Sequence, residues 1–84
     1  DMQARILERM REILLEKHIV DLEKAISKYK KRYGVYPSCL ADLVKRKVIK
    51  RIPKEPFGGR YYLDVKSMSV KSTTHRKRLE VYIN

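Results

Sequence analysis

From Met2 to Tyr33 the chain contains neither Gly nor Pro and is rich in Leu, Ile, Glu, Lys and Arg. This composition predicts one long helix over residues 1–33. Leu15, Ile19, Leu22, Ile26, Tyr29 and Tyr33 recur at alternating spacings of four and three, which draws a narrow apolar seam along a helix and assigns it to the core. The first half of the segment carries a different set, Ile6, Leu7, Met10, Ile13 and Leu14. With each residue turned by about 100°, that set centres roughly 120° away from the seam. A helix that is apolar on one face early and on another face late needs two partners. Either the helix bends or runs on over its own small core, or the early stripe meets an upstream segment, another protein or a second copy.

The run Lys30-Lys31-Arg32 precedes Gly34, matching cations at a helix C-terminus and a left-handed glycine that closes it. Pro37-Ser38 then predicts the opening of a short second helix over residues 38–50, with Ser38 as its N-cap and Leu40, Leu43 and Val44 on its buried face. Asp42 falls in its first turns, where negative charge is favoured. Val48, Ile49 and Ile52 extend the apolar signal to Pro53. Pro53 and Pro56 bracket Lys54-Glu55, and Gly58-Gly59 follows Phe57, so a rigid bend leads into a flexible joint. From Arg60 the pattern becomes β. Tyr61, Tyr62, Leu63 and Val65 suit a strand, Lys66-Ser67 a turn, and Met68-Ser69-Val70-Lys71-Ser72 a second strand. Leu79-Glu80-Val81-Tyr82-Ile83 alternates again and predicts a third. The expected fold class is therefore α+β: a long N-terminal helix, a short second helix and a small antiparallel sheet of two or three strands within residues 60–84.

Length limits this to a single domain spanning residues 1–84 with one modest core. There is no Trp, one Phe and six Tyr, so most aromatic packing comes from rings whose hydroxyls need water or a partner, at the edge of the core. The lone Cys39 excludes an internal disulfide and a multi-thiolate zinc site. No run is long and apolar enough to cross a bilayer, and the start lacks the layout of a signal peptide. Soluble behaviour is expected. The chain opens at Asp1 directly into a helical pattern, which suggests an excised domain or processed product with sequence upstream.

An enzyme needs a nucleophile, a base and a stabilising donor brought together. Here His18 lies within the long helix, His75 lies in a polar stretch, and Cys39 has no local signature. Two histidines and scattered acids show no metal-ligand spacing. Gly58-Gly59 leads into a strand rather than a helix N-terminus, unlike a phosphate-binding loop. A non-catalytic role without cofactor or metal is the expectation.

Charge adds one further candidate. The net charge is +11, yet residues 1–26 hold six acids and five bases, whereas residues 28–60 hold eleven bases against Asp42 and Glu55. The positive field thus belongs to the middle of the chain and would attract anionic partners. Lys45, Arg46, Lys47, Lys50, Arg51 and Lys54 form a candidate anion-binding cluster, with Tyr36, Tyr61 or Tyr62 as stacking platforms for nucleic acid. The alternative is that these bases solvate the outer faces of two short elements, because no nucleic-acid motif accompanies them. Gly34, Tyr36, Pro37, Pro53, Pro56, Phe57, Gly58, Gly59 and Tyr61 are expected to be structural. Their glycines and prolines would set caps and bends, while Tyr33, Tyr36, Phe57 and Tyr61 would form a small core.

Taken in order, the helix, Tyr33-Gly34-Val35-Tyr36-Pro37, Leu40 with Leu43-Val44, and Ile52-Pro53-Lys54-Glu55-Pro56-Phe57-Gly58-Gly59-Arg60-Tyr61-Tyr62 followed by a hairpin form a pattern. It resembles the soluble head of type II secretion major pseudopilins and related type IV pilin-like proteins. A similar cassette ends some bacterial envelope and helical-repeat proteins. The resemblance implies a long helix packed on a short helix and a small sheet, a role in protein assembly, and the extracytoplasmic side of the bacterial envelope. Any membrane attachment would lie in a segment outside this chain. Glu55 and Phe57 stand where that family usually has Asp and Trp. The basic residues 73–78 replace its acidic calcium-binding loop.

Overall fold

The computed structural model describes residues 2–74. The expected third strand, at residues 79–83, lies outside the described residues. The elements run α1 (Met2–Tyr33), α2 (Ala41–Lys45), β1 (Tyr61–Asp64) and β2 (Ser69–Ser72). The two strands pair antiparallel, with Tyr61 opposite Ser72 and Leu63 opposite Val70. This is the α+β arrangement that the hydrophobic pattern predicts.

The seam of α1 is the spine of the core. Leu15, Ile19, Leu22, Ala25, Ile26 and Tyr29 are buried along it, and Leu40, Leu43, Tyr61 and Val70 close over them. Tyr33, Val48, Ile49, Phe57 and Leu63 pack around that cluster, partly buried. Strand periodicity explains which hairpin residues point inward. Val70 and Ser72 are buried while Lys71 between them is exposed. The Val70 N–H donates to the Glu23 carboxylate at 3.0 Å, so a helix side chain satisfies a backbone group that the partner strand leaves unpaired.

Gly34 ends α1 as its sequence predicts. Its φ is 76°, and its N–H reaches the Lys30 carbonyl at 2.8 Å, the single-bond left-handed cap. The Lys30 ammonium adds a bond to the Gly34 carbonyl at 2.9 Å.

The second helix differs from expectation. It spans Ala41–Lys45 rather than residues 38–50, and Leu40 occupies the N-cap without a side-chain cap. Ser38 is not the cap. Its N–H and hydroxyl instead donate to the Asp42 carboxylate at 2.9 and 2.7 Å, so the acid holds the incoming loop. These bonds keep the Asp42 carboxyl below its ordinary pKa. The early stop has a backbone cause. Lys47 takes a left-handed φ of 60°, its N–H donates to the Val44 carbonyl at 3.0 Å, and the Val48 N–H donates to the Leu43 carbonyl at 2.9 Å. This pair of bonds is the Schellman closure, built on lysine rather than glycine. It turns Val48 and Ile49 towards the core from a loop.

Two smaller corrections concern the hairpin and the aromatic cluster. Val65 and Met68 sit in the turn between the strands, not in them. Asp64 organises that turn by accepting the Lys66 N–H at 3.0 Å, and Met68 has φ 52°. Tyr36 is not a core residue. It is about half exposed, with the Lys30 ammonium 5.1 Å from its ring centre.

Candidate functional site

Three features compete for a functional role: the apolar stripe on α1, the basic rim after α2, and the proline-glycine cassette. The stripe is outside the core. Ile6, Leu7, Met10, Ile13 and Leu14 are 54, 54, 59, 60 and 43% exposed. All residues from 2 to 14 are exposed except the half-buried Glu12, so about 20 Å of helix stands clear of the packed body at 1.5 Å per residue. Stepping the core seam backwards from Leu15 by three and four lands on Glu12 and Glu8. The face that buries the second half of α1 is therefore acidic in the first half, and the apolar set has moved round the helix. This excludes a simple continuation over the chain's own described core. Val20, 38% exposed, lies seven residues beyond Ile13 and extends the stripe by two turns. Sequence reading missed it because it sits among the core positions Ile19 and Leu22. The Lys17–Asp21 ion pair at 2.9 Å flanks this extension and keeps the Asp21 carboxyl below its ordinary pKa.

The basic rim does not act as one unit. Arg46 is occupied, with its guanidinium 4.5 Å from the Tyr33 ring centre and 5.9 Å from that of Tyr29. Lys45 belongs to α2 and Lys47 to its closing turn. Lys47, Lys50, Arg51 and Lys54 form no ion pair with a described residue. Of the proposed stacking rings, Tyr61 is buried, whereas Tyr36 and Tyr62 are 51 and 46% exposed. An open groove of about 420 Å³ is lined by His18, Arg51, Ile52, Pro53 and Lys54. It lies between α1 and the start of the proline-glycine segment, from Arg51 to Lys54. His18 Nδ1 lies 2.7 Å from the Tyr61 hydroxyl, with the rings edge to face at 5.6 Å. Burial, with help from Lys17, lowers the His18 pKa from 6.5 against the opposing pull of Asp21. Burial and the Glu55 charge raise that of Tyr61, so its hydroxyl keeps its proton.

The cassette is organised by a residue that its sequence pattern does not single out. Glu55 is 3% exposed. One carboxylate oxygen takes the Ser72 hydroxyl at 2.6 Å and the Thr74 hydroxyl, and the other takes the Phe57 N–H. The Gly59 N–H faces the carboxylate and also favours its charged form. Burial alone would raise its pKa, but these four donors together hold it below 4.5. A Cβ on Gly59 would press on the Thr73 and Thr74 side chains and lie 2.7 Å from the carboxylate, so glycine is required for close approach. Pro37 is fully buried; Pro53, Pro56 and Phe57 are half-buried; and Gly58 turns with φ 89°. The cassette is a structural clamp that ties the loop to the end of β2.

Cys39 is exposed in the loop before α2, and His75 lies outside the described residues. No three His, Cys, Asp or Glu side chains gather to hold a metal among the described residues, and no described helix is long and apolar enough to cross a membrane. Comparison with protein-family models, curated proteins and solved structures finds no match to the chain.

Proposed function

We propose that the chain is a non-catalytic assembly module of the bacterial envelope, a pseudopilin-like head whose projecting half of α1 docks on a second copy. The observation that carries this reading is the exposed stripe Ile6, Leu7, Met10, Ile13 and Leu14 on a helix segment that the core does not cover. Charge selects the occupant. In a chain of net charge +11, copies repel one another nearly everywhere, but residues 1–26 are close to neutral, with six acids and five bases. Pairing the two stripes would remove the exposed half of ten apolar side chains from water, on the order of 10 kcal/mol gross. The cost of association has the same order, so a reversible dimer follows rather than an obligate one. The envelope location rests on the resemblance of the cassette to pilin-like heads.

Sedimentation velocity over a concentration series tests the proposal. The native chain should dimerise in a concentration-dependent way, and Ile6→Lys with Met10→Lys should be monomeric with unchanged helical circular dichroism and melting. A native chain that stays monomeric throughout, or a dimer that those substitutions leave intact, would remove the docking surface.

A further inference from the structure

The groove between α1 and residues 51–54 has a chemistry that neither the stripe nor the Glu55 clamp uses. Its polar lining residues are Arg51, Lys54 and His18, and its apolar ones are Ile52 and Pro53. Neither cation is neutralised by a described acid. The nearest carboxylate in sequence, Glu55, is turned inward and consumed by its own donors. The imidazole is oriented as well. Its Nδ1 lies 2.7 Å from the Tyr61 hydroxyl; in the tautomer where that hydroxyl donates to Nδ1, the ring proton is on Nε2 and can serve a ligand. A planar carboxylate is filled by one arginine fork, whereas a tetrahedral phosphate group accepts from a fork, a point charge and a third donor at once. The volume, about 420 Å³, is that of a small-ligand site rather than a polymer track.

We propose that this groove binds the phosphate ester end of a small ligand, with Arg51, Lys54 and His18 as donors and Ile52 and Pro53 against the ligand's apolar part. The site differs from a generic basic patch because it excludes Lys45, Arg46 and Lys47, which line no part of the groove, and enlists a histidine from α1.

Phenyl phosphate is the probe, titrated at low salt into the isotope-labelled chain and followed by amide and imidazole NMR shifts. Saturable shifts confined to His18 and residues 51–54 are expected. Arg51→Ala with Lys54→Ala should weaken binding by about tenfold or more, whereas Lys31→Ala with Lys47→Ala should change it by less than about twofold. Both pairs are on exposed side chains, and preserved spectral dispersion confirms that each variant is folded. Benzoate should bind at least about fivefold more weakly than the phosphate ester. The site is overturned if the shifts do not saturate, if both double variants lose affinity equally, or if benzoate competes as well as phosphate. A thymidine oligonucleotide that binds through Lys45 and Lys47, with no response at His18, would likewise replace the groove with a diffuse nucleic-acid surface.

Discussion

Replacing Glu55 is the sharpest test of what holds the cassette together. Its carboxylate is 3% exposed and accepts from the Ser72 and Thr74 hydroxyls and the Phe57 N–H, with the Gly59 N–H facing it and no cation paired to it among the described residues. Glu55→Ala would leave two backbone donors and two hydroxyls facing a small void. Each buried donor left unsatisfied costs about 1–3 kcal/mol, but the hydroxyls can rotate towards water or one another. The two N–H groups dominate, and the net cost is about 3–4 kcal/mol. A domain of this size has about 4–12 kcal/mol in total, so the loss is a large share. Glu55→Gln keeps one acceptor oxygen and lets a hydroxyl accept from the new amide. It forfeits charge assistance and should cost about 1–2 kcal/mol. Urea unfolding followed by circular dichroism measures both.

Acid provides an independent arm of the same test. The folded pKa lies below the ordinary value of 4.5, so the stabilisation is complete above that value and is lost as pH falls through the folded value. Asp21, Asp42 and Asp64 are also depressed, through bonds to Lys17, Ser38 and Lys71 respectively, and they add to the same acid slope. The difference between native and Glu55→Gln chains isolates the glutamate: their stabilities should converge below pH 4.5. A Glu55→Ala chain within about 0.5 kcal/mol of native, or parallel acid slopes for native and Glu55→Gln, would refute the clamp.

Gly59→Ala should cost about 2–4 kcal/mol in the same urea assay, because the new Cβ enters the space of Thr73, Thr74 and the Glu55 carboxylate. Gly34→Ala, whose Cβ meets open space at φ 76°, should cost only about 1 kcal/mol from backbone strain. His18 should titrate below 6.5 by NMR, since burial and Lys17 both disfavour its cation. Its contribution to stability is present above 6.5 and lost as pH falls through the folded value. Arg46→Ala should cost about 0.5–1 kcal/mol through the lost contact with Tyr33, and any phosphate-ester affinity should be unchanged.

Much of this fold is readable along the chain because its principal signal is local. The seam from Leu15 to Tyr29 is spaced by helical geometry alone, and Gly34 marks its own end. What escapes reading depends on contacts between distant residues. Glu55 finds Ser72 and Thr74 seventeen and nineteen positions away, and a lone glutamate between two prolines gives no hint that it is buried. Lys47 closes α2 from a left-handed backbone while reading as one more base in a basic run. That disguise is why a helix over residues 38–50 was the natural expectation. Tyr36 follows the opposite course: an aromatic beside Gly34 and Pro37 suggests packing, yet the left-handed cap directs the chain so that the ring stays exposed. The stripe was legible, but its extension through Val20 needed the burial of its neighbours. The groove needed the fold itself, because His18 and Arg51 meet only when α1 lies against the cassette.

A buried carboxylate with no cation paired to it among the described residues is an unusual choice in a chain with 21 lysines and arginines, and the choice has a consequence. An ion pair would have desolvated two charges and drawn a base out of the surface set. Satisfying Glu55 with hydroxyls and backbone N–H groups desolvates only one, and those donors favour its ionised form. The adjacent Lys54 and nearby Arg51 are thereby left facing outward into the groove. The clamp and the cationic groove thus follow from one arrangement: the acid in this stretch turns inward to fix the backbone, and its neighbouring bases keep their charge for a ligand.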